Sequence, residues 1–164
     1  MVKLIKRSRL YKENEVNPLK KFLTFILGKD VFAIDLLKIQ EIKNMEMSIS
    51  KIHDAPSYVI GMVNLHNNII PIINLGIFFH IESTVPSALN AIIVIHFNHS
   101  FLGIIVDTVL DIIELSLPEI RQTPQFFSII NHGYVDGVAE LNQQLITILN
   151  MDKLLEIEQL KLPD

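Results

Sequence analysis

Y-V-I-G-M-V-N-L-H-N-N-I-I-P-I-I-N-L, Tyr58 to Leu75, is the longest apolar stretch of the chain. One short polar break, His66-Asn67-Asn68, divides it. Runs of Val, Ile, Leu and Met on both sides of such a break read as the strands of a β-hairpin buried on most of its surface. Asparagine tolerates the left-handed backbone that tight hairpin turns demand, so Asn67-Asn68 can supply it without glycine. Gly61 in the first strand marks a bulge or a close backbone approach. Pro71 in the second has no N–H to give to a ladder, so its nitrogen is expected to face an edge or solvent.

Working outward, short strand-like runs recur at intervals of about ten residues. Phe22–Leu27 and Val31–Ile34 flank the turn Gly28-Lys29-Asp30. The period then changes: Leu36, Leu37, Ile39 and Ile42 fit one or two turns of amphipathic helix, with Asp35 as its N-cap or as a plain exposed acid. Residues 45–57 read as a loop. Residues 76–88 form a second irregular connection with one helical turn at 77–80. Ala91–Phe97 and Phe101–Val106 form another hairpin, and Val109–Leu115 reads as strand or helix. Pro118 and Pro124 bracket a loop containing Arg121. Tyr134–Ala139 and Leu145–Leu149 form the last strand pair, turning at Asn142-Gln143, and Met151–Leu160 is expected to be helical with Asn150 as cap. The count is eight to ten strands in small barrels or a sandwich. No fixed-period repeat is visible.

At 164 residues the chain suffices for one domain or two closely packed lobes. It is 49% hydrophobic and 20% charged, yet no apolar run reaches the ~18 residues that span a bilayer. The charged stretch 1–21 does not read as a signal peptide. The chain has no cysteine, so disulfides, thiolate metal sites and cysteine nucleophiles are excluded. Residues 1–21 carry seven Lys/Arg against Glu13 and Glu15, and the rest carries seven against sixteen acids. A basic arm can meet nucleic acid or anionic lipid, but a solvated flexible extension is the expectation. The acidic body argues against nucleic acid as a partner.

The search for chemistry returns mostly negatives. The six scattered glycines form no phosphate-cradling loop, and neither a serine elbow nor H-E-x-x-H occurs. His96 and His99 lie across a turn with no carboxylate close in sequence, and His53, His80 and His132 fall in loops. Asp107 and Asp111 are spaced for paired acid–base work but read better as polar positions at a strand end. No nucleophile, base and orienting group assemble. No catalytic residue, cofactor or metal is expected, and the surplus of apolar residues points to partners.

The ordered set of motifs resembles the CheW-like chemotaxis coupling (adaptor) family. Phe22-Leu-Thr-Phe-Ile-Leu-Gly28 and Phe32-Ala-Ile-Asp-Leu-Leu-Lys-Ile-Gln-Glu-Ile42 are similar to its opening. Gly61-Met-Val-Asn-Leu65, Pro71-Ile-Ile-Asn-Leu75, Gly103-Ile-Ile-Val-Asp-Thr-Val109, Glu119-Ile-Arg121, Tyr134-Val-Asp-Gly-Val138 and Leu145-Ile-Thr-Ile-Leu149 follow in family order. The likeness covers about residues 22–157, and the domain is drawn as 22–160 after the extension 1–21.

The resemblance implies a mainly β fold of two intertwined five-stranded barrels, with a short helix after the second strand and a C-terminal helix. It implies a non-enzymatic cytoplasmic scaffold, recruited to membrane-associated receptor arrays without inserting into the membrane. The partners implied are the helical cytoplasmic tip of methyl-accepting chemoreceptors and the regulatory domain of a CheA-type histidine kinase. Ile34, Leu36 and Ile39 match positions of the receptor groove, with ordinary core as the other reading. Glu41, Gly61, Asn64 and His66 match kinase or receptor contacts. The family usually carries N-L-R-G at the hairpin tip, where this chain has Asn64-Leu65-His66-Asn67. Asn74 and Asn150 stand where aspartate is common. A divergent adaptor that binds receptors but couples a kinase weakly, and a small β-barrel ligand-binding protein, are the alternative readings.

Overall fold

Leu19–Leu27 (β1) sends Leu23, Phe25 and Leu27 to one face and Phe22 and Thr24 to the other, the period of two that a strand imposes. The computed structural model describes residues 18–97, 99–122 and 132–156. Asp30–Asp35 (β2) returns antiparallel beside β1. Ile39–Asn44 (β3), Val59–Leu65 (β4) and Asn68–Asn74 (β5) follow, then the helix Leu75–Phe79 (α1). Ala91–Phe97 (β6), Ser100–Val106 (β7) and Thr108–Ser116 (β8) come next. Val135–Leu141 (β9), Gln144–Leu149 (β10) and the helix Met151–Leu155 (α2) complete the described elements. The remainder of the expected C-terminal helix lies outside the described residues.

The strands form two five-stranded sheets, ordered β8-β1-β2-β10-β9 and β3-β6-β7-β5-β4. The chain exchanges between them: β3 leaves the β1–β2 hairpin to pair with β6, and β8 leaves the β6–β7 hairpin to pair with β1. This is the intertwining that the resemblance implies, but neither ladder closes into a barrel. Each sheet curls until the segment after one edge strand bridges to the other edge, at Ser50–Met62 in one lobe and Arg121–Val138 in the other. One apolar cluster fills each lobe, and a third, built from strands of both sheets, lies between them.

The central hairpin recurs. From Tyr58 to Leu75 and from Tyr134 to Met151 the two segments correspond at a constant offset of 76 residues. His66 and Asn67 take positive φ at one tip, and Asn142 and Gln143 at the other. Asn74 and Asn150 cap the following helices, accepting from Ile77 N and Lys153 N, each at 3.0 Å. Seven of the 18 positions are identical, Gly61 and Gly137 and Asn74 and Asn150 among them, whereas the tip residues recur only in conformation. The turn is therefore His66-Asn67, one residue earlier than expected, with Asn68 already in β5.

Gly61 sits at a bulge in β4, where a Cβ would strike the Ser50 carbonyl oxygen. Gly137 holds the equivalent place against the Arg121 carbonyl, 2.6 Å from a built Cβ. Met62 gives both its backbone groups to Ser50. The nitrogen of its neighbour Pro71 therefore faces β7, ahead of the parallel ladder that begins at Ile72. The expected amphipathic helix is a single 3-10 turn, Leu36–Lys38, capped by Asp35 Oδ1, which accepts from Leu37 N at 3.0 Å. Ile39 and Ile42 continue as strand because pairing with β6 overrides a short helical period. Residues 109–115 are strand.

Candidate protein-interaction surface

The crossover from β2 into β3 places the candidate groove residues. Ile34 has no exposed surface and belongs to the core between the sheets, so it supports the surface from beneath rather than contacting a partner. Leu36 and Ile39 are half-buried and pack on that same core. Val109, at the start of the pseudo-equivalent crossover into β8, packs there too. Leu37, between Leu36 and Lys38, is 79% exposed. A leucine held out in solvent by a capped turn is an apolar surface feature that the helical reading of 36–42 hid. Val109 was hidden because the repeat that pairs it with Ile39 was not visible.

Glu41 and His66, 25 positions apart in sequence, meet across the open seam between β3 and β4. His66 Nε2 lies 3.2 Å from Glu41 Oε1, and Lys43 Nζ lies 3.8 Å from Oε2. Glu41 Oε1 is buried and makes no hydrogen bond, so the His66 contact is close but out of line. His66 itself is largely exposed. Glu41 is thus engaged within the chain and is not a free acid on the surface. Gly61 is buried against Ser50 and serves the seam. Asn64 is exposed on the outer face of β4, paired with Ile69, whose side chain is 63% exposed. These residues form one edge of the second lobe, whereas Leu36, Leu37 and Ile39 lie at the junction.

An aromatic cluster also lies at the junction: Phe78 packs edge-on to Tyr58 at 4.9 Å and against Tyr134 at 5.6 Å. Burial, and then the neighbouring Tyr134, push the Tyr58 hydroxyl above its ordinary range, so it stays neutral near pH 7. Asp107 is buried and accepts from Gly28 N at 2.8 Å, fixing the β1–β2 turn. Asp111 uses its backbone, which exchanges two hydrogen bonds with Thr24 Oγ1 at a bulge in β8. The two acids therefore serve separate structural contacts. Among the described residues no three His, Cys, Asp or Glu side chains gather as a metal site, and no helix is long and apolar enough to cross a membrane.

The CheW-like domain profile matches residues 21–159. The chain belongs to the CheW-like family. It is 32% identical over 145 residues to the chemotaxis protein CheW of Klebsiella aerogenes, covering 88% of this chain and 87% of that one. It is also 32% identical over 145 residues to chemotaxis protein CheW of Treponema pallidum, covering 86% and 85%. Its fold superimposes on the crystal structure of scaffolding protein TtCheW from Thermoanaerobacter tengcongensis with a TM-score of 0.78 at 28% identity, covering 87% and 91%. Within this CheW-like frame the Asn74 departure is structurally silent, since asparagine and aspartate cap a helix equally well, whereas Asn150 also donates its Nδ2 to Asp136 Oδ1 at 2.9 Å, which an aspartate cannot do. The His66 departure is not silent, because it changes what faces Glu41.

Proposed function

We propose that this protein is a non-enzymatic adaptor of bacterial chemosensory signalling, coupling the cytoplasmic tips of chemoreceptors to the regulatory domain of a CheA-type histidine kinase. The CheW-like match along residues 21–159 carries the reading. Residues 22–160 are the adaptor and 1–21 a basic extension to it. The protein works in the cytoplasm at membrane-associated receptor arrays. An apolar helical tip needs aliphatic side chains to bury and few charges to desolvate, and Leu36, Leu37 and Ile39 provide these. Glu41 and His66 shape the edge offered to the kinase, with Gly61 holding the strand and Asn64 on its outer face.

The seam contact favours a second reading, an adaptor that holds receptors well and couples the kinase weakly. Arginine offers a permanent charge and a planar fork of donors, whereas a neutral imidazole offers one donor. Co-purification with a chemoreceptor cytoplasmic fragment and with a CheA-type regulatory domain tests both readings. Leu37→Asp, at an exposed position, is expected to leave the fold intact and lower receptor capture at least several-fold, since a charge must then be desolvated. Undiminished capture by Leu37→Asp removes this face. Failure of the wild type to capture either partner removes the adaptor reading.

A further inference from the structure

The linker between α1 and β6 divides the chain into two halves, residues 19–80 and 91–155, and neither holds a sheet by itself. Among the described residues the two sheets contain eight ladders. Four are hairpins within a half: β1–β2, β4–β5, β6–β7 and β9–β10. The other four join the halves: β1–β8, β2–β10, β3–β6 and β5–β7. Without the second half, the first keeps two separate hairpins and an unpaired β3. Without the first, the second keeps two hairpins and an unpaired β8. An isolated two-stranded hairpin is at best marginally stable in water.

The apolar interiors divide in the same way. One lobe packs Phe22 and Ala33 of the first half against Leu115 and Ile148 of the second. The other packs Val63 and Ile72 against Ile92 and Ile105. The buried Asp107 of the second half accepts from Gly28 N of the first at 2.8 Å. The covalent link adds little to this. Asn74 at the end of β5 lies beside Ile105, and Ala91 at the start of β6 lies beside Val106. The two strand ends are therefore at one end of the sheet with β7 between them, about 10 Å apart. Ile81 N returns to Gly76 O at 2.8 Å, so the linker starts beside that end. Ten residues, 81–90, can reach about 33 Å, so the linker is slack. Residues 82–84 and 86–89 are exposed. Ser83, Leu89 and Asn90 hydrogen-bond within the linker, and Thr84 Oγ1 reaches Gly28 O only at 3.4 Å.

We propose that each half binds the other irrespective of the link, so that a second copy of this chain can supply the missing half, two chains closing by reciprocal exchange of residues 19–80 and 91–155. Each body of such a dimer has the ladders and clusters of the monomer, and only the path of the linker differs. Exchange of identical elements is a low-cost route to a dimer for that reason. A short flexible link holds the two halves of one chain at an effective concentration on the order of millimolar. The monomer therefore prevails in dilute solution, and exchange takes over where the link cannot close. The inference rests on the strand order and does not depend on the adaptor reading.

The test holds the link open in the full chain, isotope-labelled for amide NMR. Replacing residues 83–88 by twelve prolines sets a stiff rod of about 37 Å between the halves, too long for the remaining linker residues to fold back across the gap. This variant is expected to be a dimer by light scattering at concentrations where the wild type is a monomer, with wild-type amide shifts in every strand. A protease site at one end of the rod identifies the dimer. Cutting is expected to turn it into bodies of monomer mass, each holding both fragments, with the spectrum unchanged. The same site within residues 83–88 of the otherwise unaltered chain is expected to be cut without separation of the fragments or loss of the spectrum. A rod variant that is unfolded or aggregated, that is a monomer with the wild-type spectrum, or that stays a dimer after cutting overturns the proposal. In the last case two copies would be joined by their surfaces. Separation or unfolding of the fragments after cutting the unaltered chain overturns it as well.

Discussion

His66→Arg restores a permanent charge opposite Glu41, and its effect can be worked from the seam. Glu41 Oε1 is buried without a hydrogen bond, with His66 Nε2 at 3.2 Å. An aligned guanidinium hydrogen bond to that oxygen would contribute about 1 kcal/mol in a neutral setting and more to a charged group. Residue 66 is 70% exposed, and solvent screening brings an exposed pair down to about 0.2–1 kcal/mol. The left-handed backbone at this position, φ 52°, offsets part of the gain because histidine adopts it more readily than most residues. The net expectation is about 0.5 kcal/mol, or a rise of roughly 1–2 °C in Tm for a domain of this size. Thermal melts of wild type, His66→Arg, Glu41→Gln and the double variant separate the terms. A variant no more stable than wild type would refute the reasoning. An equal gain in the Glu41→Gln background would refute it too, since Glu41 would then not be the partner.

Three further outcomes follow from the geometry. Gly61→Ala sets a methyl group against the Ser50 carbonyl, a backbone atom that cannot rotate away, and should cost about 2 kcal/mol or more by urea titration; an unchanged midpoint would mean that the seam is loose. Asn74→Asp should leave stability within about 0.5 kcal/mol of wild type while Asn74→Ala loses about 1 kcal/mol, and equal losses would remove the cap. Tyr58 holds its proton more tightly when folded, so the stability it contributes is complete below the ordinary tyrosine range near pH 10 and is lost as the pH rises beyond it. Tyr58→Phe should flatten that alkaline loss in pH-dependent melts, and an identical alkaline profile would exclude the group as its source.

Most of the strands, the two hairpin tips, the Asp35 and Asn150 caps and the CheW-like motif order were legible in the sequence, whereas β3 and the Asn74 cap were not. Each rests on a local requirement: alternation along a strand, a left-handed turn residue, or an oxygen placed to accept from a helix amide. The tertiary structure decided what no local pattern encodes. Leu36 to Ile42 fits a helical period, yet pairing with β6 draws Ile39 and its successors into a strand, because ladder hydrogen bonds and shared burial outweigh two weak helical turns. Ile34 and Leu37 are aliphatic residues three positions apart, and only the packing of two sheets puts one in the core and the other in solvent. Glu41 and His66 become partners because the second sheet curls until β3 faces β4, a long-range closure that residue spacing does not carry. The 76-residue repeat is written in the sequence in conformational terms, as Gly61 and Gly137, Asn67 and Gln143, Asn74 and Asn150. It became visible once the backbone showed His66-Asn67 and Asn142-Gln143, unlike residues, meeting the same left-handed demand.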